Sequence, residues 1–450
     1  MAQARGYSPF RRVFLGVLFI VIGLILLGGV ISIPFLYESF TIKYKFGQER
    51  IFLRTAKILG LIAGYLLLLQ LVWSARLKIL DRLFSLNRLL VLHRHLGVSI
   101  GALVMLHALL VLASEDWETL SFSITYWPEL VGALLLLLIL AVAVASRWRQ
   151  ALGLAFDRWW LLHRFGTALA VVALGTHVLF VSDTFEAGPP RNLMFGALGL
   201  YAVLYAWVKM KRLFLRRGCY VVEDISSVAS GAYCLRIKPR TRRHLDYAPG
   251  QFAFLTLKSQ YVSSEEHPFT LSSSPTRSEN LQFTIHSSGD WTATVDRLRP
   301  GDLAYIDGPF GLFGERLSRG GKECIMLAGG IGITPMLSML RYMADRGDKR
   351  KITLLWSNRR REHIVYADEF FDLEKKLTGL RVIHILTRDT EHQGETGRLD
   401  RPKLQRLLYG CDRKSTVFLC GPPLMMAQVR RSLTAIGFAR RSIHTEEFRL

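Results

Sequence analysis

Residues 92–107, LHRHLGVSIGALVMLH, and residues 162–177, LHRFGTALAVVALGTH, are two copies of one pattern. Each opens Leu-His-Arg, continues through small and apolar residues, and reaches a second histidine fourteen residues after the first. At about 100° per residue, fourteen steps bring a helix back to within roughly 40° of its starting face, about 21 Å further along the axis. His93 and His107 therefore share one face of an apolar helix near its two ends, and His163 and His177 do the same on another. Imidazole is a good axial ligand for haem iron, and facing helices of a bundle are where such cofactors sit. A single intramembrane histidine has other uses, as a hydrogen bond between helices, a proton relay or a satisfied bundle residue. The repeated spacing and the repeated Leu-His-Arg start favour ligands to two haems stacked across a membrane. His95 is an internal control: its twelve-residue separation from His107 is a rotation of about 120°, onto another face, so it is left out of the set.

A chain of 450 residues can hold a membrane bundle and one or two soluble domains. Apolar runs crowd the first 208 residues, and the remainder reads like a soluble enzyme. Six spans are expected, at about 13–36, 54–73, 90–113, 128–146, 162–181 and 192–208, each long enough or nearly so for a hydrocarbon core of about 30 Å. The first is too long for a signal peptide and lacks a small-residue cleavage site, so it reads as a retained span.

A net charge of +22 would suggest nucleic acid in a soluble protein, but the placement of the bases explains much of it otherwise. Arg5, Arg11 and Arg12 precede the first span; Arg76, Lys78, Arg82 and Arg88 lie between the second and third. Arg147, Arg149 and Arg158 lie between the fourth and fifth, and Lys209, Lys211, Arg212, Arg216 and Arg217 follow the sixth. The loop after the third span carries Glu115, Asp116, Glu118 and Glu129 with no base. The positive-inside rule then puts both termini and the soluble part in the cytoplasm, with a mildly basic first outer loop as the exception. His93 and His163 fall at the inner end, His107 and His177 near the outer face. The five cysteines, Cys219, Cys234, Cys324, Cys411 and Cys420, all lie in the soluble part without a CxxC pair, as suits a reducing compartment.

After Arg217 the period changes to short alternating segments, including PGQF at 249–252, HPFTLSSSP at 267–275 and LQFTIH at 281–286, which suggest a small antiparallel barrel. Gly289-Asp290-Trp291-Thr292 is expected to start a helix whose free amides could receive a pyrophosphate, with Asp290 as the alternative of a plain N-cap. From Lys322 the pattern changes again: CIMLAGG reads as a buried strand, GIGITP as a glycine-rich turn and MLSMLRYMADRG as an amphipathic helix. Gly330 and Gly332 let backbone approach a phosphate, Thr334 suits an N-cap and Pro335 the first helical position. ITLLWSN, RVIHILTR and TVFLCGP add strands with helices between, the alternation of a parallel sheet that binds a dinucleotide at its carboxyl edge. Ser357 and Arg359 close the second of these strands, where arginine accommodates a ribose 2′-phosphate; this favours NADPH over NADH.

Together these residues resemble the ferric reductase and NADPH oxidase superfamily, in particular its compact bacterial members. The resemblance runs from about Leu90 to Phe448 and keeps the order haem bundle, flavin barrel, nucleotide domain. It implies a six-helix di-haem domain at 1–212, an FAD-binding β-barrel of ferredoxin-reductase type at 213–318 and an α/β NAD(P)H domain at 319–450. It also implies two b-type haems, His93 with His163 for the inner and His107 with His177 for the outer. In HPFT, Phe269 would pack on the flavin, Thr270 would hydrogen-bond near its N5, and His267 and Pro268 would shape the loop. GDWT resembles the pyrophosphate segment ending at Thr292. GGIGITP and CGPP resemble nicotinamide-nucleotide motifs, so Gly330, Gly332 and Thr334 should meet phosphates, with Cys420 near the nicotinamide beside Gly421 and Pro422. Phe448 resembles the C-terminal aromatic that covers the flavin and yields to nicotinamide.

The chain departs from the animal oxidases at Val111, where they carry a further histidine, in its short outer loops, and in Arg449 and Leu450 after Phe448. Arg54, near the outer end of the second span, reads first as a snorkelling interfacial residue. The implied reaction takes a hydride from NADPH to FAD and sends electrons singly through the haems to an extracytoplasmic acceptor. Molecular oxygen leads as that acceptor, followed by ferric chelates, a quinone or a partner protein. The expected location is a bacterial cell membrane, in contact with lipid and not with nucleic acid.

Overall fold

A computed structural model of the chain describes residues 8–38, 46–114, 126–215, 219–240, 244–277, 279–319, 321–389 and 392–447. Two compact units divide it, one over Tyr7–Lys211 and one built on Arg212–Leu450.

The first unit is helical: α1 (Pro9–Leu36), α2 (Gly47–Ser74), α3 (Lys78–Phe84), α4 (Leu86–Ser114), α5 (Trp127–Arg147), α6 (Phe156–Val181) and α7 (Gly188–Leu215). All but α3 are long and apolar enough to cross a membrane, making this a multi-pass membrane protein. Leu24, Leu134, Leu137, Val172, Leu200 and Val203 stand exposed on outer faces, where a bilayer replaces water. The buried core is small and central: Ile100 on α4, Leu135 and Ile139 on α5, and Ala170, Ala173 and Leu174 on α6. Helix α4 packs closely on α2 and α5, and α6 on α5, while α4 and α6 have at most scattered backbone contact with each other.

The basic connection between the second and third spans contains α3, which the residue pattern does not reveal. Buried Asp81 accepts a hydrogen bond from the Leu86 amide (2.8 Å) at the start of α4. Arg12 Nε donates to the Leu83 carbonyl (3.1 Å), and Phe84 packs beside Phe19 of α1 at 5.7 Å. Seven residues make too few turns for an apolar period to show.

The second unit opens with β1 (Cys219–Ala229), β2 (Ala232–Pro239), β3 (Phe252–Lys258), β4 (Glu266–Thr270), β5 (Leu281–His286) and β6 (Leu303–Phe310). They pair antiparallel in the order β4-β3-β6-β1-β2-β5. An antiparallel bridge between Leu271 and Phe283 joins the two edges, so the sheet closes as a barrel. Leu235, Ile237, Leu255, Leu257, Phe283 and Ile285 fill it. The remaining strands are β7 (Glu323–Gly329), β8 (Lys351–Asn358), β9 (Leu380–Leu386), β10 (Glu395–Thr396), β11 (Thr416–Cys420) and β12 (Ile443–Glu446). They form a parallel sheet in the order β10-β9-β8-β7-β11-β12. Helices α8 (Thr334–Asp345) and α9 (Ala367–Lys376) supply one buried layer, and α10 (Arg401–Leu407) and α11 (Pro423–Ala435) the other. The strand order reverses between β7 and β11, and such a switch point opens a crevice at the carboxyl ends of the strands.

Two local expectations change. The segment after Gly289 is a 3₁₀ turn over Thr292–Arg297 with Trp291 at its N-cap, and Asp290 caps nothing. Helix α8 begins at Thr334 itself, with Ile333 as N-cap, because a 3₁₀ turn at Gly330–Ile333 runs straight into it. The Thr334 hydroxyl donates back to the Ile331 carbonyl (3.1 Å) and does not cap the helix.

Candidate functional site

In the bundle, α4 and α6 bring their histidines together in pairs. The His93 and His163 ring centroids lie 6.1 Å apart, and those of His107 and His177 6.4 Å. Metal–imidazole bonds of about 2 Å, with each ring centre roughly 1.1 Å beyond its nitrogen, put two axial rings about 6.2 Å apart across one iron. Both pairs match that spacing. Among the described residues no three histidine, cysteine or carboxylate side chains cluster as a metal site, so a bare ion would lack donors. A porphyrin supplies four of six donors itself, and two imidazoles are what remains to be provided.

The hydrogen bonds at the far side of each ring also fit. His107 Nδ1 lies 2.8 Å from the Ala56 carbonyl of α2, and His177 Nδ1 lies 2.9 Å from the Pro128 carbonyl of α5. A carbonyl can only accept, so both rings donate from Nδ1, which in the neutral imidazole leaves Nε2 bare, the arrangement of a metal-ligating histidine. The inner pair differs. His163 Nδ1 meets the Ser146 hydroxyl at 3.2 Å, which also accepts from Trp159 Nε1. Among the described residues His93 Nδ1 makes no hydrogen bond of normal geometry, although the Gln70 carbonyl of α2 is near its ring, and the His93 carbonyl accepts from Gln70 Nε2 at 3.2 Å. His95 is exposed.

Glycines in the histidine helices serve helix packing. A Cβ on Gly166 would stand 2.7 Å from a Val142 methyl, and one on Gly175 2.9 Å from a Leu198 methyl. Arg54 forms an ion pair with Glu38, which also holds Arg50 at 3.2 Å, and its guanidinium lies 5.0 Å from the Phe35 ring. The neighbouring Lys57 faces Asp183 at 3.8 Å and Thr184 at 3.2 Å.

In the barrel, HPFT forms β4 against β3, pairing Phe269 with Ala253 and Thr270 with Phe252. Thr270 is buried, Phe269 stacks on Trp291 (5.8 Å, 20°), and the His267 ring lies 4.3 Å from Trp291. Trp291 is held by its Nε1 donating to the Ser263 carbonyl (2.8 Å). Burial depresses the His267 pKa, partly offset by Glu265 at 3.1 Å. Pro268 pairs with Phe254 of β3. Thr292 Oγ1 accepts from the amides of Ser288 and Gly289, both at 2.9 Å, so its hydroxyl organises the loop.

The glycine-rich turn and CGPP meet at the switch point. A Cβ on Gly332 would be 2.6 Å from the Cys420 carbonyl, and one on Gly421 2.9 Å from the Gly329 amide nitrogen. Gly330 adopts φ +52°, a conformation that favours glycine, and its carbonyl accepts from Trp356 Nε1 (3.0 Å). Cys420 is wholly buried, and that burial, with Glu446 nearby, holds its thiol well above the ordinary pKa. Pro422 is the N-cap of α11. Ser357 pairs with Gly329 in the parallel ladder, and the exposed Arg359 follows two residues later at the same edge. Phe448 lies outside the described residues.

Arg341 is a part of this unit that the residue pattern does not announce. From α8 it makes two 2.6 Å bonds to Glu369 and also donates to the Ser272 carbonyl (2.8 Å) and Gln282 Oε1 (2.9 Å). Ser338, one turn earlier, donates to the Ser273 carbonyl (2.8 Å). These bonds clamp the parallel sheet's first helix to the barrel.

Known proteins divide the chain in the same order. Residues 59–174 match the ferric reductase like transmembrane component, 227–300 an FAD-binding domain and 326–431 the oxidoreductase NAD-binding domain. The NADPH nitrate reductase of Emericella nidulans is 33% identical over 171 residues, 35% of this chain and 20% of that protein. The reductase component of propane 2-monooxygenase from Mycolicibacterium goodii is 28% identical over 225 residues, 48% of this chain and 62% of that one. The chain thus spans less than two thirds of the length of either. The structure of a flavohemoglobin from Malassezia yamatoensis with bound FAD and heme superposes with a TM-score of 0.50 at 17% identity, covering 91% of this chain and 99% of that one, a likeness of fold alone.

Proposed function

We propose that this chain, whose ferric reductase like transmembrane component is followed by FAD- and NAD-binding domains, is a membrane-bound reductase that delivers electrons from cytosolic NADPH through two bis-histidine b haems to molecular oxygen outside the cell. The observation that carries this reading is the pair of histidine couples at 6.1 and 6.4 Å. The chemistry the bound groups would supply is hydride acceptance by FAD from the nicotinamide and one-electron relay by the haems, each electron reducing one oxygen molecule to superoxide.

The protein's part is to hold and orient. His93 with His163 would ligate the inner iron and His107 with His177 the outer, the latter two turned to it by the carbonyls of Ala56 and Pro128. Phe269 and Thr270, with His267 and Pro268, would line the flavin, and Thr292 would shape the pyrophosphate loop. Gly330, Gly332 and Thr334 would admit the nucleotide phosphates beside Gly421 and Pro422, with Cys420 near the nicotinamide. Ser357 and Arg359 would take the 2′-phosphate, and Phe448 would shield the flavin until nicotinamide displaces it. The division at 212 and 318 and a bacterial cell membrane with both termini inside complete the reading, supported by the basic residues on the connections assigned to the cytoplasm.

Purified protein in vesicles tests it. Cytochrome c reduction that superoxide dismutase abolishes is expected with NADPH. Iron(II) formation that persists without oxygen, and no superoxide, would replace oxygen with a ferric chelate as acceptor. Activity with neither would point to a quinone or a dedicated partner.

A further inference from the structure

The two outer histidines rest on their neighbouring helices in the same way. On α2 the carbonyl is that of Ala56 and the residue four further on is Gly60; on α5 they are Pro128 and Gly132. In a helix the amide at i+4 already bonds the carbonyl at i, and the side chain at i+4 sits over that bond. A glycine there leaves the carbonyl open from the side. The space is used: a Cβ on Gly60 would stand 2.9 Å from His107 Cε1 and Nδ1, and one on Gly132 would stand 2.5 Å from His177 Cε1 and 2.7 Å from Nδ1. Real side chains do not come so close, so no other residue at 60 or 132 lets these rings lie where they do. The inner histidines are seated differently. His163 Nδ1 meets a hydroxyl at 3.2 Å. The Gln70 carbonyl near the His93 ring has Ser74, not glycine, four residues on; it accepts from the Ser74 hydroxyl (2.9 Å) and makes no hydrogen bond of normal geometry with Nδ1.

We propose that Ala56–Gly60 and Pro128–Gly132 are paired seats that position the outer axial histidines, fix them as Nδ1–H tautomers, and make them stronger donors to iron than the inner pair. A carbonyl accepting from Nδ1–H pushes electron density toward Nε2, and a stronger axial donor favours the ferric state, lowering the potential of the outer haem. The seats also hold the two outer rings at 80° to each other, an orientation that a ferric low-spin spectrum records. The proposal rests on the haem reading above.

Redox titration and electron paramagnetic resonance of the purified full-length protein test it, with His107→Leu identifying the outer signal. Gly60→Ala and Gly132→Ala should each raise the outer midpoint and change the outer ferric signal, or release that haem alone, leaving the inner haem as in wild type. Ser146→Ala, which crowds nothing, should shift only the inner haem. Gly199→Ala, on a helix surface with nothing within 4 Å, should change neither. An unaltered outer haem in both seat variants would overturn the proposal, as would equal shifts or joint loss of both haems, or the same effect from Gly199→Ala. Wild-type protein without haem would instead overturn the reading on which it rests, a result distinct from two normal haems that ignore the seats.

Discussion

Leu24, Leu137 and Leu200 of the bundle stand exposed, whereas Leu327, Leu354 and Leu419 of the parallel sheet are wholly buried. In the soluble unit water sorts the side chains, so apolar position reports the core directly. In the bundle the bilayer is as apolar as the leucines, and burial carries little information about which faces meet. What distinguishes those faces is the few polar groups and the glycines against which they rest. A histidine in the bundle therefore says more about function than one in the barrel, where His267 is one contact among several around Trp291.

That contrast orders the expected effects of substitution. His177→Leu, at a polar position in the bundle, should cost one of two haems and essentially all transmembrane electron flow, while NADPH still reduces the flavin. The reduced-minus-oxidised spectrum and stopped-flow flavin bleaching measure the two separately, and retention of both haems would remove the proposed distinction between the regions. Arg341→Ala, in the soluble unit, should leave Glu369 without its charge partner and lower stability by about 2–3 kcal/mol, less than a fully buried pair because Glu369 is one-third exposed. Release of flavin fluorescence on heating the full-length protein should then move to lower temperature with the haem spectrum initially intact.

Arg359→Ser should reduce kcat/KM for NADPH on the order of 10- to 100-fold, the equivalent of a charge-assisted contact worth roughly 1.5–3 kcal/mol, and leave NADH nearly unchanged. Equal loss with both nucleotides would deny it a part in choosing between them. The smallest effect belongs to Asp348, whose pKa the bonds from Arg350 hold below the ordinary carboxylate value. A depressed folded pKa stabilises above the unfolded value of about 4 and ceases to do so as pH falls through the lower folded value. Asp348→Asn should thus cost up to about 1 kcal/mol at neutral pH and progressively less in acid. A gap between the two melting temperatures that is constant with pH would contradict this.

Much of the arrangement was legible because it follows from period. A fourteen-residue return puts two histidines on one helix face, and alternating strands and helices imply a parallel sheet with its crevice at the strand ends. Gly60 and Gly132 were not legible, since the rings they accommodate belong to other helices 47 and 45 residues along the chain. Arg341 looks like any base in RYMADRG until the fold brings Glu369 and the Ser272 carbonyl to it. Thr334 has the residue type of an N-cap yet is the first residue of α8, because a 3₁₀ turn feeds the helix without a break and leaves no extended residue to act as cap.

The histidine couples can be examined most directly by counting cofactors. Protein purified with its native complement should contain two b-type haems for each FAD, both six-coordinate and low-spin when oxidised, with a paired-imidazole spectrum. A preparation with full flavin but no haem, or with high-spin iron open to exogenous ligands at both sites, would mean that the four imidazoles do not work as two couples.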